Sequence, residues 1–335
     1  MAHGAERGIE LADVERDDAV SVAVGECADE AVADLAPGDG ALHETAVLAD
    51  EGAGANAPKV AIIHVTGLIS YLPAPGLIAS NANPVDSLYT PLDKAANDPQ
   101  TPAAILRANP PGRTVGASDT MYNELRHFRR TTGKPIVVCM GEIATSGAYY
   151  ISLAADHVVA QPSSVTGSIG VLVQTFNFSE GMGRIGISGR ALTSGPNKAL
   201  TNPFEPPTAE HYAIVQGLVD GFYDQFRGLV AERRPVAAAS ADFPMMTDGR
   251  VFTGVEAARL HLVDQTGSLR DAFGVAKRLA GIERARLVKY HAKGVEPRSP
   301  YNTASPVAPT LGGDTTISVL SLNASPEAIS PGFYY

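Results

Sequence analysis

The chain has 335 residues, 44% of them hydrophobic and 19% charged, with a formal net charge of -10. That length fits one or two domains, and the composition is that of a globular protein. The acidic balance argues against a general nucleic-acid binder and against electrostatic attraction to anionic membranes.

The charge is unevenly placed. Residues 1–58 carry fourteen acids against two bases, Arg7 and Arg16, a net of -12, which leaves +2 on the remaining chain. All 21 Phe and Tyr residues also follow residue 58, so the first segment has little with which to build a core. Residues 1–57 therefore read as an acidic, disordered extension. Residues 58–294 read as the folded domain, and residues 295–335, rich in proline and poor in charge, as a flexible tail. The two cysteines, Cys27 and Cys139, give neither a disulfide framework nor metal-ligand spacing. The N-terminus lacks the basic start and apolar run of a signal peptide. The most apolar window, 60–79, is interrupted by His64, Gly67, Pro73, Pro75 and Gly76, which makes it a poor membrane span. A cytoplasmic protein without a transmembrane anchor is the expectation.

From Lys59 onward, apolar strand-like runs alternate with helical patterns, the signature of an α/β fold with a largely parallel sheet. Strands are expected at 60–65, 103–108, 135–140 and 157–160, with helices at 84–97, from about 115 to 130, and at 146–155. Residues 208–234 carry Tyr212, Val215, Val219, Phe222, Tyr223, Phe226 and Val230 at helical spacing, which predicts a long amphipathic helix facing core or a subunit interface. A last unit, 248–281, predicts a turn, a short helix, a short strand around Leu262–Val263 and a helix from Ser268.

The segment Gly141-Glu-Ile-Ala-Thr-Ser146-Gly-Ala-Tyr-Tyr-Ile151 lies between an apolar strand and a helix. A small-residue turn there presents Ser146 where helix N–H groups are unpaired, and the Gly147 N–H can face an oxyanion. An ordinary serine N-cap reads equally well from this motif alone. A serine nucleophile needs a base. Neither His157, at the start of a strand, nor His211, on the long helix, is an obvious partner. Lys198 is one of seven lysines and sits in a Gly/Pro loop, Ser194-Gly-Pro-Asn-Lys198. If buried there, its neutral amine would become accessible, although solvated loop lysines are the commoner case. The turn Thr166-Gly-Ser-Ile-Gly170 lacks the lysine and spacing of a nucleotide-binding loop.

Four separated motifs occur in order: Lys134-Pro-Ile-Val-Val with Ala144-Thr-Ser146-Gly-Ala-Tyr-Tyr; Thr166-Gly-Ser-Ile-Gly170; Lys198 with Asn202-Pro203-Phe204; and Asp248-Gly-Arg-Val-Phe-Thr-Gly254 with Leu262-Val-Asp264. Together they resemble the signal peptide peptidase family of Ser/Lys proteases over about residues 58–282. The resemblance implies a Clp/crotonase-like fold, a repeated ββα superhelix assembled as a homo-oligomeric ring or dome. It implies peptide-bond hydrolysis with no cofactor or metal, Ser146 as nucleophile and Lys198 as general base. The oxyanion site then falls on Gly147 and on the loop Pro110-Pro111-Gly112-Arg113, so Gly112 and Arg113 join the expected site. Pro110 stands where the family has Ser, and Arg113 where it has a second Gly. Ser168 is expected to support the lysine amine. The implied partners are peptide substrates, with any membrane contact peripheral and no nucleic acid. The altered loop leaves an alternative, a catalytically silent peptide-binding scaffold of the same fold. The Tyr-terminated tail, 328–335, suggests a segment able to enter the substrate cleft.

Overall fold

In the computed structural model, residues 42–71, 83–110, 114–292, 296–302 and 333–334 are described. A seven-stranded sheet organises them, in the order β1 (His43–Ala49), β11 (Arg286–His291), β2 (Lys59–Thr66), β3 (Ala103–Asn109), β4 (Ile136–Met140), β6 (His157–Ala160) and β10 (Gln265–Thr266). Neighbours run parallel except β1, which pairs antiparallel with β11. The predominantly apolar runs of β2, β3 and β4 follow from this arrangement, because both faces of a parallel sheet are covered. On one face pack α1 (Pro84–Asn97), α2 (Val115–Thr132), α3 (Gly147–Ser152) and the C-terminal half of α5 (Ala209–Arg233), around Leu106, Met121, Tyr149 and Phe226. The other face is covered by α9 (Leu269–Leu279) through Phe273, Val275 and Ala276 on Ile62, Ile105 and Val137.

Local signals explain where the helices begin. Asn83 caps α1 by accepting from the Asp86 N–H at 3.0 Å, with Pro84 at the first helical position. Ser268 and Asp271 form a reciprocal capping box on α9. A small second sheet, β5 (Ile143–Thr145), β7 (Val165–Gly167) and β9 (Val251–Thr253), stands at the end of β4. The remaining elements are β8 (Leu172–Val173), α4 (Ser179–Arg184), α6 (Pro235–Ala238), α7 (Phe243–Met246), α8 (Gly254–Arg259) and β12 (Phe333–Tyr334).

Several expectations are corrected. The acidic extension does not run to residue 57: β1 lies within it and pairs along β11, while Glu44 and Asp50 form ion pairs with Lys59 and Lys277. Acids that look like a solvated run in the sequence are there partners for lysines of the domain. The tail is not uniformly loose from 295, because Pro297 is buried and Lys289 Nζ donates to the Asn302 carbonyl. The helix expected at 146–155 covers only Gly147–Ser152, since Ser146 has φ 58°. The strand expected near Leu262–Val263 lies at Gln265–Thr266; Leu262 and Val263 are apolar because they are buried in the bend after α8. The stripe on α5 divides, with Phe226 and Val230 fully buried but Tyr212 55% exposed. The rest of the acidic segment, 1–41, and the greater part of the tail, 303–332, lie outside the described residues.

Candidate active site

Strand β4 delivers the chain into the turn Gly141–Glu142, and β5 carries it to Ser146. The turn is tight: a Cβ on Gly141 would stand 2.5 Å from Asn109 Oδ1. Asn109, at the end of β3, accepts from the Ile143 N–H at 3.1 Å and so ties the start of the loop 110–114 to the serine strand. At Ser146 the backbone turns through φ 58°, ψ -115° into α3. A non-glycine residue there is strained by about 1–3 kcal/mol, a cost that persists only where the surroundings hold it. Here Ser146 N–H donates to the Gly167 carbonyl at 2.8 Å and the Ser146 carbonyl accepts from the Tyr150 N–H at 2.9 Å.

The supports on both sides are rigid. In β7, Thr166 Oγ1 donates to the Ala144 carbonyl at 2.8 Å. Gly167, at φ 83°, has no room for a Cβ, which would meet Phe252 at 2.8 Å and the Arg250 carbonyl at 3.1 Å. The Ser168 N–H donates to that same carbonyl at 2.8 Å. All six residues of α3 are buried. Tyr149 OH donates to the Leu262 carbonyl and Tyr150 OH to Asp119, both at 2.8 Å, and the Tyr150 ring meets Phe226 edge-on at 5.1 Å. Burial holds the Tyr149 phenol above its usual range, so it stays a neutral donor.

The result is a serine whose residue is 4% exposed and whose Oγ has no hydrogen-bond partner. The adjoining Gly147 N–H opens α3, and a first helical N–H has no partner within its helix. Ser146, Gly147 and Ser168 are therefore brought together. Lys198 is not brought to them. It is exposed, and its loop is tied to the start of α5, where the Pro196 carbonyl lies 3.1 Å from His211 Nε2 and Asn197 donates to Glu210. The aromatics behind Ser146 meet α5 at Phe226, about 20 Å further along its axis at 1.5 Å per residue. Gly112 and Arg113 lie outside the described residues. Cys139 does not compete as a nucleophile: burial pushes its thiol up to about 11. The supporting roles of Asn109, Tyr150 and Asp119 escape sequence reasoning because each depends on a contact across 31 or more residues.

The profile of Peptidase family S49 matches residues 128–283. A putative protease of Synechocystis is 33% identical over 190 residues, covering 57% of this chain and 67% of that protein. Protease 4 of Haemophilus influenzae is 31% identical over 223 residues, 66% of this chain and 35% of that protein. A Brucella abortus protein named as a Na(+)/H(+) antiporter is 36% identical over 179 residues, yet the chain spans only 24% of its length. Among solved structures, a membrane-bound stomatin-specific protease aligns at TM-score 0.41 and 11% identity over 66% of this chain and 85% of that one.

Proposed function

The chain belongs to Peptidase family S49, the signal peptide peptidase family of Ser/Lys proteases, and on that premise we propose that it hydrolyses peptide bonds in unfolded or signal-peptide-like segments. The observation that carries this reading is Ser146, strained at φ 58°, buried, and with an unpartnered Oγ beside a helix N-terminus. Oγ attacks the scissile carbonyl, and its proton passes to the neutral amine of Lys198. The oxyanion is met by the Gly147 N–H and by an N–H of the Gly112–Arg113 loop. Collapse expels the amine, which takes the proton back from Lys198 and leaves an ester on Ser146. Water, deprotonated by Lys198, then releases the acid and restores the serine. Ser168 helps hold the lysine amine.

The base reaches Ser146 from a neighbouring copy of the chain. This is supported by the remoteness of the Lys198 loop from Ser146 along α5, and by apolar side chains exposed on the same arm: Leu172, Phe178, Ile187, Leu192 and Tyr212. A contact that hands a loop from each copy to the next is heterologous and forms a ring where its rotation closes, in keeping with a Clp/crotonase-type ββα superhelix. A fluorophosphonate probe tests the assignment. Labelling is expected at Ser146 in the assembled protein and absent in Ser146→Ala, with peptide hydrolysis lost in both Ser146→Ala and Lys198→Ala; undiminished hydrolysis in either variant overturns it.

A further inference from the structure

Several charged side chains buried in this domain are paired with a carboxylate. Lys59 has Glu44 and Asp98, Lys277 has Asp50, Arg234 has Asp264 and Arg129 has Asp156. A cluster of three basic groups without such a partner lies on the sheet face opposite Ser146. His64 on β2 and Arg107 on β3 are ladder neighbours at the C-terminal ends of their strands, and Lys289 on β11 lies beside Ile62, one same-face position earlier. Among the described residues no carboxylate forms an ion pair with any of the three. Lys289 is 4% exposed and donates to the Asn302 carbonyl. Nη1 of Arg107 is buried without a hydrogen-bond partner, and the buried ring nitrogens of His64 make no well-formed hydrogen bond and face the Pro300 main chain. The segment 296–302 crosses over them, with the Tyr301 ring 5.0 Å from the Arg107 guanidinium.

An orphaned buried donor costs about 1–3 kcal/mol, and a buried charge without a counter-charge costs more. Such groups in a folded protein call for a polar occupant. Burial lowers the Lys289 amine to about 8, which leaves it mostly protonated at neutral pH. Arg107 and Lys289, with the adjoining imidazole, match a dianion better than water, and a guanidinium edge fits two oxygens of one ligand. The C-terminal ends of parallel strands are also where open α/β sheets bind ligands. We infer that His64, Arg107 and Lys289 form a site for a small phosphate-type oxyanion, closed by the strap 296–302 and separate from the peptidase centre. Arg107 lies two residues before Asn109, so an occupant braces the end of β3 from which the loop 110–114 departs. The site does not depend on the proposed hydrolysis, and its test reads binding alone.

The full-length protein is titrated with inorganic phosphate, with glycerol phosphate and with acetate, each against sodium chloride of equal ionic strength. Binding is followed by thermal unfolding and, for the two phosphates, by phosphorus NMR line width. Phosphate is expected to stabilise saturably and to broaden, and acetate to do neither. Tighter binding of glycerol phosphate than of phosphate would mark a phosphorylated metabolite as the natural source. Arg107→Gln and Lys289→Met should each weaken binding about tenfold or more, the loss of one charge-assisted contact, whereas the exposed Arg130→Gln should not. Stabilisation no greater than that of chloride, or equal in the variants, overturns the proposal. Should the variants fail to fold, hydrogen exchange of 298–302 in the unaltered protein decides. Phosphate is expected to slow it about tenfold, and an unchanged rate refutes the site.

Discussion

At the scale of single residues, the serine depends on neighbours that are chemically silent. Gly167 supplies the carbonyl that holds the Ser146 N–H, and it can do so only without a side chain. Gly167→Ala adds a Cβ against Phe252 and the Arg250 carbonyl at a positive φ, so denaturant unfolding should show a loss of about 1–3 kcal/mol. Peptide hydrolysis should fall more than stability requires, because the Ser146 turn shifts with β7. His64 provides a second residue-scale test. Burial, then the fields of Lys289 and Arg107, lower its pKa from 6.5 to about 3 despite the Pro300 main chain, which favours the protonated ring. The unfolded chain therefore takes up a proton below pH 6.5 that the folded chain refuses until about pH 3. Its contribution to stability is full above 6.5 and declines across that window. In phosphate-free buffer His64→Phe should flatten stability against pH between 6.5 and 3; an unchanged slope would show that other groups carry the acid lability.

At the scale of elements, β8 is the one to probe. It follows Ser168 by four residues, and the chain terminus reaches it: β12 pairs antiparallel, Phe333 with Val173 and Tyr334 with Leu172. An extended peptide can add to a strand edge as a further strand, so a substrate that bound along β8 would compete with the terminus for that edge. Removing residues 331–335 should raise the rate on an unfolded peptide, and a synthetic copy of those residues should restore the lower rate. Equal rates in the full and shortened chains would count against competition. The long helix α5 is similarly divided. Its C-terminal half is core through Phe226 and Val230, while Tyr212 and Leu218 near its start remain exposed beside the lysine arm.

At the scale of the whole molecule, the proposed pairing of Lys198 of one copy with Ser146 of the next makes assembly a condition of activity. Mixing Ser146→Ala chains with Lys198→Ala chains should restore about a quarter of the unaltered activity, because only pairs with an intact serine on one copy and an intact lysine on the next are competent. No recovery would place both residues in one chain.

Much of this protein was legible without coordinates. The parallel strands and the helices at 84–97 and 209–233 follow from runs and periodicities that a local window contains, as does the placing of Ser146 between strand and helix. What required tertiary structure is whatever depends on a distant partner. Glu44 and Asp50 look like part of a solvated acidic run until β1 sets them against Lys59 and Lys277. Leu262 and Val263 look like a strand because apolarity records burial and not geometry. His64, Arg107 and Lys289 are 43 and 182 residues apart along the chain, and only the parallel register makes them neighbours. Local patterns were enough for the family and the sheet, and for naming Ser146 as the candidate nucleophile. Folding decided that Ser146 is buried while Lys198 is exposed, and that three basic groups share a sheet face with no ion-paired carboxylate among the described residues, because strand pairing and helix packing bring together residues that no local pattern relates.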